Sequence, residues 1–132
     1  MKQVITDGGR LSTHPNERLD CVVRGFAIAA GIPYPEAHAM FKAAGRRDRC
    51  RTRNTILNKL MNGFIKTGIN GFKVSRAGDC GITVKRYITE HSQGRYLLGR
   101  RGHVFAVIDG VIHDLECDLK LKAKINRAYR FN

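Results

Sequence analysis

Nothing in the sequence approaches the 18 or more apolar residues that a membrane-spanning helix needs, which excludes an integral helical membrane protein. The opening MKQVITDGGR has no apolar core of the kind an export signal carries, so the expected location is the cytoplasm. Cysteine pairs at metal-binding spacing are missing too. Cys21, Cys50, Cys80 and Cys117 stand 29, 30 and 37 residues apart, with no CxxC. The nearest approach to a zinc half-site is His113-x₃-Cys117, and no second half-site completes it. The expectation is therefore free thiols, no disulfide scaffold, no metal and no organic cofactor. There is no internal repeat and no low-complexity linker, and a chain of 132 residues is too short to feed two hydrophobic cores, so it reads as a single domain, 1–132. Acidic residues are scarce, 11 against 24 lysines and arginines. The formal net charge is +13, which attracts phosphate, polyanions or acidic proteins without fixing a fold.

What is present is a change of hydrophobic period. Residues 1–16 are polar and turn-rich and read as a surface segment. Residues 17–30, ERLDCVVRGFAIAA, place Leu19, Val22, Val23, Phe26, Ala27 and Ala30 at helical spacing, with Gly31 as the stop and Asp20 as the expected N-cap. A second helix starts near Pro35 and runs to Gly45. A basic loop occupies 46–53, and a third helix about 54–67 carries an apolar stripe from Ile56 to Ile65. Beyond Gly68, Phe72-Lys73-Val74 predicts a short strand, Ile82 to His91 a fourth helix, and Arg95–Leu98 and His103–Ile108 two further strands. Asp109-Gly110 is a two-residue hairpin turn from which Val111–Leu115 returns antiparallel. In the tail, Leu119, Leu121, Ala123 and Ile125 alternate with Lys120, Lys122 and Lys124, predicting a half-exposed edge strand. The fold class is α+β, with a helical half at 17–67 packed on a mainly antiparallel sheet half at 69–132.

Two places could bring reactive groups together. Cys21 sits in the first turn of an apolar helix, where unpaired N–H groups and the helix dipole favour thiolate. The alternative is an inert small core residue. The hairpin 102–116 is the second place. A two-residue turn sets position i opposite 219 − i, so His103, Asp114 and Glu116 share one face while His113 takes the other. An imidazole oriented by a carboxylate is what a thiol nucleophile requires. Asp114 is the expected partner, with Glu116, or His113 should the turn carry a bulge, as alternatives. Asp79-Cys80-Gly81 is a decoy: too few residues separate Cys80 from His103 to hold a helical half between nucleophile and base.

A cysteine opening the first long helix, followed about 80 residues later by Gly102-His103-Val104 on a strand and then by Asp114, resembles the papain-like cysteine peptidase superfamily. The similarity is greatest to its small domains that process bacteriocin leaders and to small phage-encoded relatives. The resemblance covers roughly residues 16–116. It implies a papain-like fold, a host-cytoplasm location if phage-encoded, and cleavage of a peptide or isopeptide amide bond. Cys21 would be the nucleophile, His103 the base and acid, and Asp114 the orienting group. The superfamily's glutamine, about six residues before the cysteine, is replaced by Pro15, which leaves Asn16 as the nearby amide for an oxyanion. The second histidine, His113, also gives a likeness to the superfamily's cell-wall amidases, and acyl transfer on the same fold is a further variant.

The cationic groups cluster. Arg46, Arg47, Arg49, Arg51 and Arg53 fall within eight residues, Arg100 and Arg101 directly precede Gly102-His103, and Arg127 and Arg130 lie in the tail. Arg46, Arg47, Arg49, Arg100 and Arg101 are the candidate contacts for a polyanion or an acidic peptide substrate. No RNA- or DNA-binding motif accompanies them, so a non-enzymatic protein that binds nucleic acid or an acidic partner is the rival reading.

Overall fold

The computed structural model describes residues 2–115 and 119–132. Among these, five helices and six strands form a mixed α+β architecture around one sheet. Strand β1 is Gln3–Ile5, β2 Val74–Arg76, β3 Arg95–Arg100, β4 His103–Ile108, β5 Val111–Asp114 and β6 Ile125–Phe131, in the spatial order β1-β5-β4-β3-β6-β2. Helices are α1 Arg10–Thr13, α2 Cys21–Ala30, α3 Tyr34–Ala43, α4 Asn54–Thr67 and α5 Val84–Glu90. No helix among the described residues is long and apolar enough to cross a membrane.

The sheet alternates with period two and is covered on both faces. Leu97, Ala106, Tyr129 and Phe131 meet Phe26, Phe41, Leu57 and Met61 from α2–α4. Tyr96, Leu98, Phe105, Val107, Ile112 and Ala128 meet Val84, Tyr87 and Ile88 from α5. Gly25 is the point where α2 comes down on the sheet. A Cβ there would stand 3.1 Å from Leu97 Cδ1 and 3.3 Å from Phe105 Cα, so any side chain at this position would push α2 or its neighbours apart by a few tenths of an ångström. One turn earlier on the same helix is Cys21, so the Gly25 contact sets how far the thiol stands from β4.

The hairpin follows its turn. Asp109 and Gly110 both have positive φ, 49° and 77°, and the register runs Ile108 to Val111, Val107 to Ile112 and Ala106 to His113. Four expectations need correction. Helix α2 begins at Cys21, four residues later than the periodicity suggests, because Leu19 is left-handed (φ 53°) and a right-handed helix cannot pass through it. Residues 1–16 are not merely a surface segment. They supply β1, which pairs parallel with β5, so the sheet is mixed. The strand expected at 72–74 lies at Val74–Arg76, displaced by a tight turn that bonds Ile69 to Phe72. The tail is not an edge strand at 119–125: Leu119, Leu121 and Ala123 sit in a loop packed on the α5 layer, and the strand runs from Ile125 to Phe131 inside the sheet, between β3 and β2.

Candidate active site

Asp20 occupies the N-cap position of α2 but makes no capping bond. Its carboxylate is fully buried and accepts from Arg24 Nη1 at 2.6 Å, Arg10 Nη1 at 3.1 Å and the Tyr34 hydroxyl at 2.7 Å. Two guanidinia and a phenol compensate a buried carboxylate better than one backbone N–H, so the cap expectation gives way to an ionic cluster. With the acid turned aside, Asp20 caps none of the first-turn N–H groups of α2, and Cys21 stands among them.

The half-buried Cys21 thiol faces the His103 ring and the Val104 N–H, and both act on it to favour thiolate. His103 Nε2 lies 2.6 Å from Asp114 Oδ2, which leaves Nδ1 for the sulfur. Asp114 is itself buried. Its Oδ1 accepts from the Leu115 N–H at 2.8 Å, and Arg24 Nη2 stands 3.8 Å away, so one guanidinium lies between Asp20 and Asp114. Burial opposes ionisation of the thiol, but the His103 and Val104 hydrogen bonds and the charges of His103 and Arg24 outweigh it, holding Cys21 below the ordinary thiol range. Burial also opposes the imidazolium, yet the bonds to Asp114 and Cys21 raise His103 to about 9. The two shifts describe one coupled pair, in which the thiolate and the imidazolium each favour the other.

His113 faces away from this group. Burial and the Arg95 charge lower its pKa, and the carboxylate on the His103 ring is that of Asp114, so the bulged alternative fails because the turn is even. Glu116 and Cys117 lie outside the described residues.

A cleft of about 550 Å³ opens over the thiol, lined by Cys21, Val22 and Leu57, by His103 and Val104, and by the polar side chains Thr52, Asn54 and Asn126. Arg51, Arg100, Arg101 and Arg127 also line it. Asn16 lines a different depression, with His14, Glu17, Asp48 and Arg49, so the amides that reach the cleft are Asn54 and Asn126. Of the five candidate arginines, Arg100 and Arg101 reach the cleft. Arg46 does not: it is buried, and its fork grips Glu17 at 3.1 and 3.2 Å. Arg49 shares the depression of Asn16, and Arg47 lines another beside Cys50. Arg51 and Arg127 fall within basic clusters visible in the sequence, but nothing local distinguished them from neighbours that point elsewhere. Arg24 did leave a signal, standing four residues after Asp20 on one helix face. No family model matches this chain, and no curated protein or solved structure matches it. What the site can do therefore follows from its own atoms.

Two other clusters have filled valences. Glu17, His38 and Asp48 bring three metal-ligand atoms together. However, Glu17 already accepts from Arg46, from the Arg49 and Arg18 N–H groups and from His38 Nε2 at 2.8 Å, so a cation would have to displace a guanidinium. Near Cys80, both ring nitrogens of His91 are engaged, Nδ1 by the Tyr87 carbonyl and Nε2 by Asp79 at 3.2 Å, and no imidazole nitrogen remains to serve as base.

Proposed function

We propose that the protein is a thiol-dependent acyl hydrolase of papain-like type, cleaving an amide bond through Cys21, His103 and Asp114. The observation that carries this reading is that Cys21 and His103 line one open cleft, with a buried carboxylate 2.6 Å from the imidazole and the imidazole acting on the thiol. A buried acid on an imidazole also occurs as a purely structural device. The third link, a thiol with a depressed pKa facing a cavity, favours catalysis.

In this reading the thiolate adds to the carbonyl carbon of the scissile amide. The Cys21 N–H, in the first turn that Asp20 leaves uncapped, donates to the oxyanion. The C–N bond breaks as His103 passes its Nδ1 proton to the leaving amine, giving a thioester on Cys21. Water then adds to the thioester while His103 takes its proton. Collapse releases the carboxylic acid and restores the thiolate. Asp114 keeps the ring in the tautomer that presents Nδ1 to sulfur.

The test uses p-nitrophenyl acetate, whose acyl group any competent thiol nucleophile accepts. The expected result is a burst of nitrophenol with acetylated Cys21, lost in Cys21→Ala and slowed in His103→Ala. In parallel, iodoacetamide at about pH 6–7 should modify Cys21 far faster than Cys50, Cys80 or Cys117. Equal sluggishness at all four thiols would refute the reading and leave a cationic binding protein.

A further inference from the structure

Four guanidinium groups from three separate segments meet in the cleft over Cys21. Arg51 comes from the loop before α4, Arg100 and Arg101 from the end of β3 and its turn into β4, and Arg127 from β6. Assembling them takes deliberate backbone. The β3–β6 pairing shifts register between Gly99 and Arg100, and Gly102 adopts φ 78° to close the hairpin beside His103. No carboxylate lines the cleft among the described residues. Among the described residues, none of the four arginines makes a salt bridge, in contrast to Arg10, Arg24, Arg46 and Arg86. Among the same residues, Arg127 Nη1, Arg100 Nε and Thr52 Oγ1 are buried without a hydrogen-bond partner. Gathering like charges and leaving buried donors unmatched opposes folding unless a ligand completes them.

We infer that the cleft selects a polypeptide carrying carboxylates beside the scissile amide, so that Arg100 and Arg127, with Arg51 and Arg101 at the mouth, hold acidic side chains flanking the reacting carbonyl. This deepens the hydrolase reading and rests on it. Nucleic acid fits less well. Among the described residues no Phe or Tyr lines the cleft to stack a base, and the nucleophile that lines it is a cysteine suited to acyl carbon.

The experiment compares iodoacetate with iodoacetamide at Cys21 of the full-length protein, mapped by mass spectrometry, with N-acetylcysteinamide in the same solution as reference thiol. The two reagents differ in charge and share their leaving group. Relative to the reference, the iodoacetate-to-iodoacetamide rate ratio at Cys21 should rise on the order of tenfold at low salt and shrink as ionic strength screens the guanidinia. Arg100→Gln and Arg127→Gln should each cut the ratio by about threefold, Arg127→Lys should largely retain it, and Arg86→Gln, outside the cleft, should not change it. A peptide amide with glutamates on both sides of its central bond should protect Cys21 from iodoacetamide at lower concentration than its glutamine counterpart. A fast iodoacetamide reaction with a ratio equal to the reference thiol's would overturn the acidic-substrate inference and leave the hydrolase reading standing. Slow reaction with both reagents would remove the two together. Better protection by a single-stranded oligonucleotide than by the glutamate peptide would replace the peptide with a polyanion.

Discussion

Replacing Asp114 with asparagine keeps the shape of the group against His103 and removes its charge. In the native protein His103 is raised from 6.5 to about 9, and the bond to Asp114 leads the influences that raise it. That shift corresponds to about 3.4 kcal/mol favouring the imidazolium, at 1.36 kcal/mol for each pKa unit. A charge-assisted contact of 2.6 Å accounts for the larger part, so the amide should lower the His103 pKa by about one to two units. The sign follows from the direction. A raised histidine contributes stability that is fully present below its unfolded value and disappears as pH climbs through its folded value, so in Asp114→Asn this contribution is smaller and disappears at lower pH. The thiolate is held by that imidazolium, so the acid limb of Cys21 alkylation should move up by about one unit, with the rate at pH 6 falling about tenfold. The assay is iodoacetamide labelling from about pH 4 to 9, read at Cys21 with Cys80 as internal control. If the variant's curve superimposes on the native one, Asp114 merely ends β5 and the coupling argument fails.

Two further predictions concern the frame around the site. Gly25→Ala should destabilise the protein despite alanine's helix preference of about 1 kcal/mol, since the added carbon meets Phe105 backbone; a denaturant midpoint at or above the native one, with unchanged Cys21 labelling, would contradict this. Although burial raises Glu17, its bonds to Arg46, Arg18, His38 and Arg49 lower it from 4.5 to about 2, so it contributes about 3 kcal/mol that is present above pH 4.5 and lost toward pH 2. Glu17→Gln should therefore flatten acid unfolding over that range, and an unaltered acid-unfolding curve would count against the ion pairs holding the 46–53 loop.

The hairpin was legible in the sequence because Asp109-Gly110 dictates an even turn, and parity then places His103 and Asp114 on one face whatever the rest of the chain does. The helices at 34–43 and 54–67 were legible for the same local reason, a clear period bounded by Pro35 and Gly68. Strand β6 was not. Its sequence INRAYRF interleaves arginines with the buried Ile125, Ala128, Tyr129 and Phe131, so an interior strand read as a charged tail, while the cleaner alternation before Ile125 belongs to a loop. The fate of Asp20 was equally hidden. Its position says cap, and only the arrival of Arg10 and Tyr34 from other elements turns the carboxylate inward. Which arginines reach the cleft is likewise decided by distant pairing, through the β3–β6 register shift and the fold of the 46–53 loop onto Glu17.

Strand β6 has a bearing on biosynthesis. Of the six described strands it is synthesised after the other five, yet it is wedged between β3 and β2 and its Tyr129 and Phe131 fill the helical core. A nascent chain cannot complete the sheet until that stretch leaves the exit tunnel, so the sheet closes only once β6 has emerged rather than strand by strand from the first. Cys21 is translated about 80 residues before His103, so its sulfur stays without that imidazole until β4 has been made and folded against α2.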